Sequence, residues 1–147
     1  MNKIIFNNNK RVVRFVNKFQ PINGGPNVQG IGLEKDGELI AGVLYDDYNG
    51  SNVWMHVAAV PGKRWLVKKY LYICFKYPFQ QLNLNRVTGW VEETNKDAIR
   101  FNEHLGFERE AVLRKAGRNG QDVFLYVMHK QDCKWIKAKS HENLSVN

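Results

Sequence analysis

Asn95-Lys96-Asp97-Ala98-Ile99-Arg100-Phe101-Asn102-Glu103-His104-Leu105-Gly106-Phe107 reads as a helix, its stop and the entry into a strand. Ala98, Phe101, Asn102 and Leu105 share one helical face, and the small Ala98 lets that face approach a sheet closely. Gly106 suits a left-handed C-terminal cap, after which Phe107 drops back into the core. Thr94 is the expected N-cap, with Asp97 three residues further on. Beyond the helix, Phe107 to Arg114 and Val123 to His129 form an antiparallel pair around the Gly117–Gly120 turn.

Upstream, a strand is expected from Arg86 to Val91. Before it, Lys63 to Tyr77 reads as a helix with apolar residues on nearly every face, stopped by Pro78. The strand ahead of that helix runs from Asn52 to Val60. A strand, helix and strand in this order form a crossover, so the two strands should be parallel. Val28 to Leu33 and Leu39 to Tyr45 flank Lys35-Asp36-Gly37-Glu38, which carries an Asp-Gly hairpin signal, and with Asn52–Val60 they make a meander. Residues 8–19 place Val12, Phe15, Val16 and Phe19 at helical spacing, and Pro21 and Gly24-Gly25-Pro26 break the chain. The order α-β-β-β-α-β-α-β-β describes a mixed α/β fold, a mostly antiparallel sheet with helices on both faces. We expect one domain over 1–136 and a disordered tail over 137–147.

Bulk properties narrow the class. The 147 residues, 44% hydrophobic and 24% charged, suit one soluble globular domain. No apolar run is long enough to span a bilayer, and the N-terminus lacks the apolar stretch of a signal peptide, so no membrane partner and a cytoplasmic location are expected. Two cysteines and scattered histidines build no zinc-ligand spacing, so no metal is expected. Cys74, in the apolar helix, reads as a small packed hydrophobe. The net charge of +8 points to a polyanionic partner. Met55 to Val91 holds six basic residues, Lys63, Arg64, Lys68, Lys69, Lys76 and Arg86, and no acidic one. Nucleotide phosphates or a nucleic-acid backbone would suit that run. Trp65, Tyr70, Tyr72 and Trp90 are interleaved with it, so a nucleic-acid-binding module is one reading.

The element order and the Asn-Ala-Phe-Leu-Gly-Phe skeleton of residues 95–107 resemble the GNAT superfamily of N-acetyltransferases. The last two strands, with Ala111-Val112-Leu113-Arg114 and Asp122 to Met128, resemble its ribosomal-protein and antibiotic-acetylating branch. The resemblance implies acetyl-CoA as cofactor, an amine of a protein or small molecule as acceptor, and a monomer or homodimer. It also implies a gap where the first crossover strand parts from its parallel partner. There the cofactor's arm would pair with strand groups around Val57 and with Ala58, Ala59 and Val60. Its phosphates would meet Gly62, Lys63, Arg64, Trp65 and Leu66, and Asn95 and Asn102 would face it from the far side. The loop departs from the family's glycine-rich pattern: Gly62 is its only glycine, Trp65 stands where a small residue is usual, and Lys63 and Arg64 would supply charge instead.

For chemistry, Asn102 occupies the position of the family's usual tyrosine acid. Alternation along the strand puts Asn52, Trp54, His56 and Ala58 on one face. Imidazole is the side chain best suited to proton exchange at neutral pH, and His56 lies just before the cofactor segment, which makes it the candidate base. Glu92 and Glu93 compete for that role, and Tyr126 for the acid. Acidic residues around Glu34–Glu38 and Asp46-Asp47 would draw a cationic amine. A catalytically inactive GNAT-fold protein that binds a macromolecule is the other reading.

Overall fold

Glycines at two strand positions let the first helix settle on the sheet. Helix α1, Asn9–Asn17, buries Val12, Phe15 and Val16, the stripe that its periodicity predicts. A Cβ on Gly30 would lie 2.8 Å from that of Val12, and one on Gly42 would lie 3.1 Å from both Val12 and Phe15. Hydrogen at those two positions therefore permits close contact. Asn9 fastens the helix start, its Oδ1 accepting from the Gly30 amide at 2.9 Å.

The computed structural model describes residues 1–22 and 27–137. The break expected at Gly24-Gly25-Pro26 and the tail expected beyond Lys137 lie outside the described residues. Seven strands form one sheet, β1 (Asn2–Ile5), β2 (Gln29–Lys35), β3 (Glu38–Asp46), β4 (Asn52–Ala59), β5 (Arg86–Glu92), β6 (Glu108–Leu113) and β7 (Val123–His129). Their spatial order is β1-β2-β3-β4-β5-β7-β6. Every pairing is antiparallel except β4 with β5, which is parallel as the crossover requires. The β2–β3 hairpin turns at Asp36 (φ 53°) and Gly37 (φ 86°), two consecutive left-handed residues whose twist matches the flanking strands.

Sequence reasoning missed β1, a four-residue edge strand too short to show a period. The crossover helix also differs. Helix α2 spans Lys68–Lys76, five residues shorter at its start than the apolar pattern suggested, because Val67 is extended (φ −101°, ψ 137°). At its end Pro78 does not stop the turn. The chain widens into a π-turn over Tyr77–Gln81, with the Leu82 amide donating to the Tyr77 carbonyl at 3.0 Å. A wider turn accommodates a proline that has no N–H to give. Helix α3, Lys96–Leu105, is capped by Asn95 and not by Thr94, with Asn95 Oδ1 accepting from the Ala98 amide at 3.2 Å. Gly106 ends it at φ 106°, as expected.

α1 covers one face of the sheet, over Leu44 and Ala58. The larger core lies on the other face, where α2 and α3 bury Val43, Val53, Met55, Val57 and Val87. Both cysteines are buried. Cys74 sits among Tyr45 and Tyr70, and burial pushes its thiol up to about 12. Chain beyond β7 belongs to this core: Ile136 is buried, and the Trp135 indole donates to the Leu105 carbonyl at 2.8 Å. Among the described residues no helix is long and apolar enough to cross a membrane.

Candidate active site

Strands β4 and β5 are held together at their starts and part further on. Three residue pairs match across them, Asn52 with Arg86, Val53 with Val87 and Trp54 with Thr88, and none beyond. Polar side chains clamp the paired end. Thr88 Oγ1 donates to Asn52 Oδ1 at 2.7 Å and accepts from Arg86 Nε at 3.0 Å. Arg86 in turn grips Glu110 with both terminal nitrogens, which holds that carboxyl below its usual range. One step along, Trp54 and Trp90 meet edge to face with centroids 6.5 Å apart. Past them the strands separate.

A cleft of about 590 Å³ opens on this face of the sheet. His56 and Trp54 of β4, Asp46 of β3, and Trp90 and Glu92 of β5 line it. Phe19 to Ile22, the chain leaving α1, form one wall, and Thr94 and Asn95 at the start of α3 another. His56 Nε2 stands 3.4 Å and 3.3 Å from the two carboxylate oxygens of Asp46, whose side chain is 19% exposed. The β3–β4 register produces this meeting: Asp46 opposes Trp54 and Leu44 opposes His56, so Asp46 and His56 are diagonal neighbours on one face. Sequence reasoning had His56 on the right face but did not pair it with Asp46; the hairpin register was the missing signal.

Glu92 also reaches the cleft, but its Oε1 accepts from the Arg118 amide at 3.1 Å and ion-pairs with that guanidinium at 3.5 Å. Glu93 points instead toward the β6–β7 turn, accepting from the Asp122 amide at 3.4 Å. Asn102 lies on the opposite face of the sheet. It is 7% exposed, and its Nδ2 donates to the Ala98 carbonyl at 2.7 Å. Its Oδ1 is 3.2 Å from where a Cβ on Gly89 would stand, so that glycine makes room for it against β5. Tyr126 shares that face; its hydroxyl donates to Glu103 at 2.9 Å, and burial raises its pKa. The structure thus brings His56, Glu92 and Asn95 to one cleft and puts Asn102 and Tyr126 behind the sheet.

The open edge of β4 follows from its pairing with β3. The Val60 amide donates to the Ile40 carbonyl at 2.8 Å. By the two-residue alternation of an antiparallel ladder, even-numbered residues of β4 pair with β3, and the peptide groups of Met55, Val57 and Ala59 face the gap. Ala58 therefore turns its backbone to β3 and its side chain under α1. The Val57 carbonyl accepts from Gln20 Nε2 at 2.6 Å. Beyond β4 the chain turns at Gly62 (φ 81°), in open space, with Lys63 and Arg64 exposed. Trp65 does not obstruct this turn. Its indole is buried, packed edge to face on Phe101 of α3 with centroids 5.3 Å apart. Leu66 is exposed, and α2 then begins with Lys68 and Lys69, with no acidic residue in its first turn.

No protein-family model matches the chain, and no curated protein does. Solved structures do. Mutant forms of the spermidine/spermine N-acetyltransferase SpeG from Vibrio cholerae superpose with a TM-score of 0.69 at 16% identity, covering 89% of this chain and 96% of that one. Another SpeG mutant from Vibrio cholerae gives 0.71 at 17% identity, over 92% of this chain and 96% of that chain. A putative acetyltransferase from T. thermophilus gives 0.65 at 22% identity, over 82% of this chain and 69% of that one. The chain has the GNAT fold.

Proposed function

We propose that the protein is an N-acetyltransferase that moves an acetyl group from acetyl-CoA to a primary amine bound in the cleft, by direct attack in a ternary complex. The observation that carries this reading is the His56–Asp46 pair at the wall of a cleft, with His56 on the strand that parts from β5 and Asp46 on its neighbour β3. Attack on a carbonyl needs an amine with a free lone pair, so a group must take its proton. With Nε2 donating to Asp46, the ring's lone pair sits on Nδ1, and the carboxylate fixes the ring's orientation. His56 is thus the base and Asp46 its positioning residue.

The residues present fit the cofactor. The β4 edge around Val57 and Ala59 turns peptide groups away from β3 and toward the gap, where an extended arm would add to β4 as a strand. Gly62, Lys63 and Arg64, with the free amides at the start of α2, suit its phosphates. Bound acetyl-CoA supplies an acetyl group already activated as a thioester. Asn102 donates its amide to the Ala98 carbonyl, so we assign it to packing α3 on β5 rather than to proton transfer. A departing thiolate has a pKa near ~8.5 and takes its proton from solvent.

Asp47 and Glu92, with the faces of Trp54 and Trp90, suit a cationic amine in a chain whose net charge is +8. The naming of a structural neighbour for polyamine acetylation agrees with that choice of acceptor. Glu92, held by Arg118, serves the shape and charge of the cleft. The test is calorimetric titration with acetyl-CoA, followed by thiol release in the presence of mono-, di- and polyamines. Absence of binding at millimolar acetyl-CoA would remove the enzyme reading.

A further inference from the structure

Gln20 stands between the two halves of this site. Its body lines the cleft, while its amide reaches into the gap between β4 and β5 and donates to the Val57 carbonyl at 2.6 Å. A carbonyl is satisfied only by a donor, so Nε2 is the atom facing β4. Val57 is the central residue of the unpaired stretch, and its carbonyl is the acceptor that a strand-like arm in the gap would use.

The residue is delivered to this place by its surroundings. The Gln20 amide still donates to the Val16 carbonyl at 3.0 Å, as in a last helical turn, and Pro21 then prevents the turn from continuing. Asn17 Oδ1 accepts from the Ile22 amide at 2.7 Å, which closes the segment into a clasp. Phe19 packs on Phe15 with centroids 5.2 Å apart. Residues 17–22 therefore form a fixed corner, and one side chain of that corner is fastened to β4.

We propose that Gln20 is a placeholder for the cofactor's arm: it holds the Val57 carbonyl until an amide of the arm replaces it. This rests on the acetyl-CoA reading above. Replacement frees Gln20 and unfastens the Phe19–Ile22 wall of the cleft from β4. The cofactor groove and the acceptor cleft are thereby coupled through one hydrogen bond. Gln20 acts as a positioning residue for the wall, in competition with the cofactor.

The experiment compares the wild-type chain with Gln20→Ala and Gln20→Asn, the latter one methylene too short to reach Val57. Calorimetric titration with acetyl-CoA should show both variants binding about fivefold more tightly, the worth of one net hydrogen bond no longer competed for. In the wild type, acetyl-CoA should speed hydrogen exchange at the Ile22 amide, and in the variants it should not. Unchanged or weaker binding in both variants, beside a wild type that binds, overturns the placeholder and leaves the acetyl-CoA reading standing. No binding by any of the three overturns both. Thermal melts of the variants confirm that the chains compared are folded; Gln20 is only half-buried, so both are expected to fold.

Discussion

The two faces of β4 carry neighbouring residues into opposite surroundings. Val53, Met55 and Val57 face α2 and are buried, part of a core that includes Tyr45, Tyr70, Cys74 and Phe75. Asn52, Trp54 and His56, one residue out of step, are half-buried, and Trp54 and His56 border the cleft. The strand is the same and the alternation is the same; the covering layer differs. α2 and α3 together roof the first face. α1 has only nine residues and packs over Leu44 and Ala58, and the same face is open at Trp54, His56 and Trp90, where β4 leaves β5. A functional site arises here where one layer stops short, with side chains already set in position by a rigid strand.

This contrast can be broken from either side. Phe75→Ala on the dry face should cost about 3–5 kcal/mol, because a ring with no exposure leaves a cavity that the core cannot fill. Urea denaturation measures it, and a loss under about 1 kcal/mol would mean that face is not close-packed. On the wet face, His56→Ala should lower kcat/KM by about 10²-fold with the melting temperature nearly unchanged. An equal fall in stability would assign His56 to the fold instead of the chemistry.

Alkaline pH sharpens the same division. The Cys74 thiol is moved from 9.0 to about 12 by burial, so its neutral form is favoured in the folded state. A raised pKa contributes stability that is complete below pH 9 and is lost as the unfolded thiol ionises and the folded one does not. From pH 9 toward 12 that group lowers stability by about 1.4 kcal/mol per pH unit. Tyr45 and Tyr70, raised for the same reason, add to the loss above pH 10. Burial also raises the Cys133 thiol, to about 11, so stability measured in urea at pH 8, 9 and 10 should be flat and then fall, and Cys74→Ala should make the first part of the fall shallower without removing it.

The smallest effect belongs to the clamp at the paired end. Thr88→Val removes the hydrogen bond to Asn52 and should cost about 1 kcal/mol, with activity altered only through the separation of β4 and β5. A larger loss of activity than of stability would show that the clamp sets the width of the gap.

The aromatic residues interleaved with the basic run show why the nucleic-acid reading found no support. Trp65, Tyr70 and Tyr72 are buried, and of the four only Trp90 is exposed, at 37%. Helix α2 turns Tyr70 and Tyr72 into the core and the loop before it does the same with Trp65, so none of those three is available to stack on a base.

Residues 95–107 were legible because their signals are local: a period, a left-handed glycine and a phenylalanine returning to the core are all set within about four turns of chain. The meander, the crossover and the face of His56 were legible for the same reason, since alternation and turn chemistry act between near neighbours. The cap of α3 was placed one residue early, at Thr94, because both residues have a side-chain oxygen suited to capping and only the contact of Asn95 with the Ala98 amide decides between them. The start of α2 at Lys68 was not, because Trp65 draws the preceding loop into the core by a contact with Phe101, distant in sequence. Nor was the partnership of His56 with Asp46, which needs the β3–β4 register, or the reach of Gln20 to Val57, which needs α1 docked on its two glycines. Composition, period and turn residues determined which elements this chain makes. Only tertiary structure decided where the sheet's cover ends and which polar groups meet in the opening, because those meetings join residues that no local preference brings together.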